Sequence, residues 1–187
     1  MRIVGGRHRG RRLEAPSDDQ VRPTSDRTRE ALFNILAHAD WAPGFDELTV
    51  LDAFCGTGAM ALEALSRGAA RAVLLDSAPA SLALARRNAE GIGEAANCKF
   101  LRGDATHPPA ATEPAHLVFL DPPYGKALAE PALMALAAAG WLAPGAVAVV
   151  ERATGDLFAP PIGFTLIDQR KYGASQIFFL RHGRPAP

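Results

Sequence analysis

The 187-residue sequence predicts an α/β fold, a mostly parallel sheet with helices on both faces, from three observations. Short apolar runs alternate with helical patterns between residues 48 and 151, the arrangement of strand-helix-strand units. The first of these runs flows directly into a glycine turn. The last two strands lie too close together for a helical crossover, so they must pair as an antiparallel hairpin.

Each element has its own signal. Ile3-Val4 and Arg12-Leu13 read as two short strands of a hairpin, with glycines and arginines between them. Residues 14–23 form a polar connector with Pro16 and Pro23. A helix opens at Pro23-Thr24, with Thr24 or Ser25 as N-cap. Ala31, Leu32, Ile35, Leu36 and Ala39 form its buried stripe, while Arg27, Glu30 and Asn34 share the opposite side. Strands follow at 48–54, 72–76, 98–101, 116–120, 146–151, 165–170 and 176–181. Helices fill 59–67, from Pro79 through Asn88, and 128–139, with Gly68 and Gly140 stopping the first and third. The organisation expected is a basic N-terminal hairpin or arm over 1–21, a single α/β domain over 22–182, and a disordered tail over 183–187.

Composition narrows the classes. Apolar content of 48% is ordinary for a globular chain, and no apolar run is long enough to span a bilayer. The start has no apolar signal core, so a cytoplasmic location is expected. Cys55 and Cys98 have neither metal-ligand nor disulfide-framework spacing, so no metal is expected. Cys55 reads as a small packing residue in the glycine turn. Net charge is zero, but residues 1–12 carry Arg2, Arg7, His8, Arg9, Arg11 and Arg12 with no acid. Such a run suits phosphates, and a solvated terminus has the same composition.

The chemistry sits at two strand ends. Leu51-Asp52-Ala53-Phe54 leads into Cys55-Gly56-Thr57-Gly58. Gly56 and Gly58 allow a tight turn and close approach to a ligand at the carboxyl end of the strand. Dinucleotide enzymes also place glycines here. Asp52, however, would repel a pyrophosphate and suits an ammonium. Asp76 ends the next strand and can accept hydrogen bonds from both hydroxyls of a ribose. Asp104 can accept from an adenine amino group, with the neighbouring N–H of Ala105 reaching a ring nitrogen; a plain turn aspartate would look the same. Phe54 joins this cofactor-facing set.

The second element is Asp121-Pro122-Pro123-Tyr124, ending the fourth strand. Two prolines remove two N–H donors and fix the backbone. An NH2 group can then give one proton to Asp121 and the other to the Pro122 carbonyl, while Tyr124 offers a stacking face worth roughly 1–3 kcal/mol. Both acceptors hold the nitrogen lone pair toward an incoming methyl group, which is orientation and electrostatic stabilisation. The pair of elements points to methylation of an exocyclic amine with S-adenosylmethionine as cofactor.

Five stretches resemble the RsmD-type 16S rRNA (guanine-N2)-methyltransferase family: Ile3 to Arg11, Arg22 to Glu30, Asp52 to Gly58, Leu62 to Ala69 and Phe119 to Tyr124. The resemblance spans essentially the whole chain. It implies a seven-stranded, Rossmann-like class I methyltransferase sheet. It implies that the N-terminal hairpin and the Arg22–Glu30 segment, including Thr24, border the active site and the RNA. It implies a guanine of 16S rRNA as target, on the 30S subunit or an assembly intermediate. Asp76 and Cys55 depart from the residues usual in the family, without removing a contact. The reading is a monomeric enzyme in which Asp121, Pro122 and Tyr124 are catalytic. Asp52, Phe54, Gly56, Gly58, Asp76, Asp104, Ala105 and Thr24 face the cofactor. Arg7, Arg9, Arg11, Arg12, Arg22 and Arg27 hold RNA phosphates. Rival readings are a DNA adenine-N6 or cytosine-N4 methyltransferase, an NAD-dependent oxidoreductase and a non-catalytic RNA-binding assembly factor.

Overall fold

A computed structural model of the chain describes residues 1–16, 25–123 and 125–183. Seven strands form one sheet: β1 Thr49–Ala53, β2 Arg71–Asp76, β3 Cys98–Arg102, β4 Ala115–Leu120, β5 Leu142–Ala153, β6 Phe164–Tyr172 and β7 Ser175–His182. Their order across the sheet is β3-β2-β1-β4-β5-β7-β6. The five strands from β3 to β5 run parallel, and β7 is antiparallel to both β5 and β6. The predicted hairpin at the carboxyl terminus is present. So is the reversal of strand order between β1 and β4, which opens a crevice beyond their carboxyl ends.

Alternation along each strand sorts side chains onto two faces. Val50, Leu74, Leu117, Phe119, Val149 and Phe179 pack against α1 (Asp26–His38), α2 (Ala59–Ser66) and α3 (Pro79–Ile92). Leu51, Val73, Val118, Val150 and Leu180 pack against α4 (Ala129–Ala138) and the loop at Trp141. β1 is buried at every position, as a central parallel strand must be. Ser25 caps α1 through Thr28 N–H at 3.1 Å. The stripe of α1 differs from the predicted one: Leu32 and Leu36 are buried, but Arg29 and Phe33 join them. Phe33 stacks on Phe45 and meets Phe119 at a tilt of 36°, each with ring centres 5.5 Å apart, so the helix is rotated toward β4. Arg27, Glu30 and Asn34 are exposed as expected.

The N-terminal hairpin is docked rather than free. Ile3 and Leu13 are buried in the helical face of the core. Its ladder is short, with one bridge between Arg2 and Arg12 and a 3-10 turn at Gly6–His8. Val4 N–H donates to Glu63 and His8 N–H to Ser66, while the Ser66 hydroxyl donates to the Gly5 carbonyl at 2.6 Å. The glycines make this approach possible. Gly6 has φ +73°, and a Cβ there would lie 1.9 Å from the Ser66 carbonyl oxygen. Gly6→Ala is therefore expected to lower stability by about 1–3 kcal/mol, read as a fall in the urea midpoint. An unchanged midpoint would refute the close packing of this turn.

Candidate active site

The glycine turn is held in place from both sides. Phe54 takes φ +64°, Gly56 φ +51° and Gly58 φ +76°. A large aromatic residue in the left-handed region is strained, and such strain concentrates at functional sites. Cys55 N–H bonds the Leu75 carbonyl, and Gly56 N–H bonds Asp76 Oδ2 at 3.0 Å, so β2 fixes the turn. The two glycines have different tasks. A Cβ on Gly56 would point into open space, so this position needs glycine for its backbone angle and leaves the cleft unobstructed. A Cβ on Gly58 would meet Leu74 at 2.7 Å and Ala85 at 3.2 Å. The close approach at Gly58 is to β2 and α3, so its lack of a side chain serves the packing of the turn against the sheet. Cys55 is buried, and burial together with Asp52 and Asp76 pushes its thiol up, as a packing residue requires.

Asp52 is 3% exposed, and its Oδ2 accepts the Ala61 N–H at 3.1 Å in the first turn of α2. A carboxylate thus already occupies the helix N-terminus where a dinucleotide's pyrophosphate would bind. Burial raises the Asp52 pKa well above the usual carboxylate range. The Ala61 N–H opposes the rise, and the negative charges of Asp121 and Asp76 add to it. Three carboxylates at the ends of β1, β2 and β4 therefore repel one another and would be relieved by a cation.

Phe54, Leu75, Asp76, Ser77, Gly103, Asp104 and Ala105 line a cleft of about 180 Å³ above β1, β2 and β3. Asp76 Oδ1 accepts the Ala78 N–H at 2.8 Å and Oδ2 accepts that of Gly56. Each oxygen keeps a second lone pair for a ligand hydroxyl. Asp104 Oδ1 accepts from the Thr106 N–H at 2.8 Å and the Thr106 hydroxyl at 2.7 Å. These bonds hold its pKa below the usual range. It is both a turn residue and part of the cleft wall. The backbone beside it at Ala105 is buried.

Across the switch point, Asp121 follows β4. Water reaches its surface, yet protein atoms crowd the carboxylate on most sides, and this desolvation, with Glu151 adding like charge, pushes its pKa up to about 8. The Pro122 carbonyl accepts no hydrogen bond among the described residues. Pro122 and Pro123, with Leu128, Arg152 and Asp156, line a second cavity of about 200 Å³ beside this clamp. Glu151, which its sequence context did not single out, lies next to Asp121: Leu120 pairs with Val150, so the following residues adjoin across parallel strands. Glu151 is buried and accepts the Ser175 hydroxyl at 2.7 Å. Tyr124, Thr24 and Arg22 lie outside the described residues.

The arginines divide into two groups. Arg27 is exposed in the first turn of α1. That turn is at the site's end of the sheet, because the chain beyond α1 meets the amino end of β5: the Trp41 carbonyl accepts from Arg181, the partner of Val147. Arg7, Arg9 and Arg11 are at the other end. The hairpin tip rests on Ser66 at the end of α2 and on Glu94 beyond α3, and both helices run away from the carboxyl ends of the strands. Arg7 is paired with Glu94 at 2.7 Å, and Arg11 donates to the Gly91 carbonyl. The tip therefore does not border the site as expected, because the α2–α3 groove fixes the hairpin's direction. Arg9 and Arg12 are exposed and form no ion pair among the described residues.

The sequence model of a family described as conserved hypothetical protein 95 matches residues 1–181. Ribosomal RNA small subunit methyltransferase D of Escherichia coli strain K12 is 40% identical over 152 residues, 81% of this chain and 74% of that protein. The protein of the same name from Haemophilus influenzae is 32% identical over 92% of this chain and 89% of its own. Among solved structures, the putative methyltransferase yhhF from Escherichia coli superposes with a TM-score of 0.83 at 32% identity, covering 98% of both chains. An RNA methyltransferase from Salinibacter ruber, in complex with S-adenosyl-L-homocysteine, superposes with a TM-score of 0.65 over 89% of this chain and 97% of that one. At 19% identity this is a likeness of fold.

Proposed function

Because the chain belongs to the family of the ribosomal RNA small subunit methyltransferases D, we propose that it methylates the exocyclic N2 amine of one guanine in 16S rRNA, acting as a cytoplasmic monomer on the 30S subunit or its precursor. The observation that carries the amine reading is the Asp121-Pro122 pair of acceptors, set across the β1/β4 crevice from a cleft rimmed by carboxylates. S-adenosylmethionine, when bound, supplies an electrophilic methyl group on a sulfonium. The residues present fit it. Gly56 leaves the cleft wall open, Asp76 and Asp104 offer acceptors for ribose and adenine, and a cationic donor would favour the ionised forms of Asp52 and Asp121, which burial disfavours in its absence.

On this reading, Asp121 and the Pro122 carbonyl each take one N2 proton and hold the lone pair toward the methyl carbon. Tyr124 gives the flipped base its stacking face. Arg9, Arg12, Arg22 and Arg27 hold phosphates, so affinity for RNA falls as salt rises. Arg7 and Arg11 are engaged with Glu94 and Gly91, and contribute by fixing the hairpin. Asp52 at the helix N-terminus disfavours the NAD reading, and the donor-poor clamp has little use in a pure binding module.

Methyl transfer from labelled donor to 30S subunits that lack the modification tests the assignment. N2-methylguanosine in digested 16S rRNA is expected; label on adenosine N6 or cytidine N4 would overturn it. Asp52→Asn separates ligand binding from folding. It is expected to weaken S-adenosylmethionine binding about tenfold, or ~1.4 kcal/mol, by calorimetry. Neutralising a buried acid whose folded pKa is raised should also increase stability at pH 8. That gain should vanish below about pH 4, where the acid is neutral in both folded and unfolded states. Tighter binding in the variant would contradict the cationic-ligand argument.

A further inference from the structure

We propose that Leu157, on the loop between β5 and β6, inserts into the RNA stack where the target guanine is withdrawn, while Lys126 of the clamp loop holds a neighbouring phosphate. This rests on the RNA-methylation reading above. Leu157 is 95% exposed. A single apolar residue on a surface is ordinary; this one differs in how it is held and where it stands.

The residues around it are anchored. The Thr154 N–H donates to the Ala174 carbonyl at 2.8 Å and its hydroxyl to the Gly173 carbonyl at 3.0 Å, tying the loop to the β6–β7 turn. The Asp156 N–H donates to the Ala153 carbonyl at 3.2 Å, and its carboxylate pairs with Arg152 Nε at 3.5 Å. Phe158 packs on Phe178 with ring centres 4.7 Å apart, and the Arg152 guanidinium lies 5.6 Å from its ring. The chain is thus fixed on both sides of Leu157, and a side chain presented by an ordered backbone loses little entropy on binding.

The strand register gives its position. Phe178 pairs with Val150, and Val150 with Leu120, the residue before Asp121. Asp156 lines the cavity of about 200 Å³ together with Pro122 and Pro123, so Leu157 stands at the rim of the cavity beside the clamp. Gly125 and Ala127 line the same cavity, and Lys126 between them is exposed, with no ion pair among the described residues. Ala127 takes φ +47°, a strained conformation of the kind that gathers at ligand clamps. An aliphatic side chain and a free cation at one rim suit a nucleic acid, which offers base faces and phosphates, better than an apolar protein surface. A base that enters the clamp must leave its stack. Its departure opens a gap between two base faces, which a Leu wedge can fill, lowering the cost of holding the guanine out.

Ile162 supplies an internal control. It is 94% exposed on the same loop, but it lies near Phe164, which pairs with His182 beside Arg181, the partner of Val147. That is the end of the sheet away from the clamp.

Leu157→Ala removes only an exposed side chain, so its urea midpoint should match the wild type. On 30S subunits that lack the modification, its kcat/KM for RNA is expected to fall about tenfold, the part of the unstacking cost that a wedge offsets. Its affinity for S-adenosylmethionine should not move, nor should the slope of log RNA affinity against log salt, because no phosphate contact is lost. Lys126→Ala should instead lower that slope by about 0.7–0.9. Leu157→Met should keep most of the activity, and Ile162→Ala all of it. A diazirine-bearing leucine analogue at position 157 then identifies the occupant. On irradiation with 30S subunits, crosslinks to the 16S rRNA nucleotides flanking the methylated guanine are expected. Crosslinks to a ribosomal protein or to distant rRNA, or none, overturn the proposal, as does a Leu157→Ala rate that overlays that of Ile162→Ala. Absence of methyl transfer by the wild-type protein would instead overturn the functional reading, and the crosslink would still report whether RNA covers this loop.

Discussion

Asp121→Ala is expected to reduce methyl transfer by at least about 10³-fold while changing S-adenosylmethionine affinity by less than about threefold. Removing one preorganised partner of the reacting group typically lowers kcat by about 10²–10³, and loss of a positioned proton acceptor accounts for roughly 10²–10⁴. Asp121 is assigned both tasks here. The guanine amine is a poor nucleophile because its lone pair is delocalised into the ring, so orientation matters more than for an aliphatic amine. Cofactor binding should survive because the cleft for it is lined from the loops after β1, β2 and β3, whereas Asp121 follows β4. Near pH 7 little negative charge is lost either, since Asp121 titrates at about 8. The same shift fixes the sign of the pH dependence. Below its midpoint Asp121 is protonated and cannot accept from the amine. kcat/KM should therefore rise with pH along a limb displaced above the ordinary carboxylate range. The limb in kcat should lie at lower pH, because a bound sulfonium favours the carboxylate. Single-turnover transfer from labelled donor measures both effects. A loss below tenfold would remove Asp121 from the reaction.

The strands, the glycine turn and the clamp were legible because each has a local signature. Apolar runs identify buried strands, φ-positive turns need glycine, and paired prolines leave carbonyls without competing donors. What escaped was set by partners distant in sequence. Glu63 and Arg67 have the i,i+4 spacing of an exposed helix pair, and Asp26 and Arg29 have i,i+3 spacing. Nothing local says that the first six residues fold over them and exclude water. Glu151 looked like the polar end of a strand until the β4–β5 register set it beside Asp121. The hairpin's arginines were legible as a basic run, but the end of the molecule on which they lie depends on the direction of the groove between α2 and α3.

That buried network yields the largest expected effect on stability. Glu63→Ala should destabilise the protein by about 3–5 kcal/mol, the usual consequence of removing one partner from a buried ion pair. Glu63 is fully buried and Arg29 is 1% exposed. Glu63 Oε1 accepts Arg67 Nε at 2.8 Å, Oε2 accepts the Val4 N–H at 2.8 Å, and Arg29 Nε lies 3.8 Å away. Arg29 also reaches Asp26 Oδ1 at 2.8 Å and the Arg2 carbonyl. One carboxylate therefore joins the N-terminal segment, α1 and α2, and its loss leaves the buried Arg29 guanidinium without the Glu63 charge beside it. Against a typical total of about 5–15 kcal/mol, this approaches global unfolding at physiological temperature. Glu63→Gln keeps the shape and one acceptor, so it should lose less. Replacing Arg29 and Glu63 together by Met and Leu should recover much of the difference, because the uncompensated charge disappears with its partner. The network also positions the first turn of α1, where Ser25 and Arg27 stand at the site's end of the sheet. Loosening it should raise KM for the RNA before it alters S-adenosylmethionine binding, since the cleft for the cofactor is built from the loops after β1, β2 and β3. Urea denaturation of the two single variants and the double variant measures the coupling. Additive losses would mean that Arg29 and Glu63 are buried side by side without depending on each other.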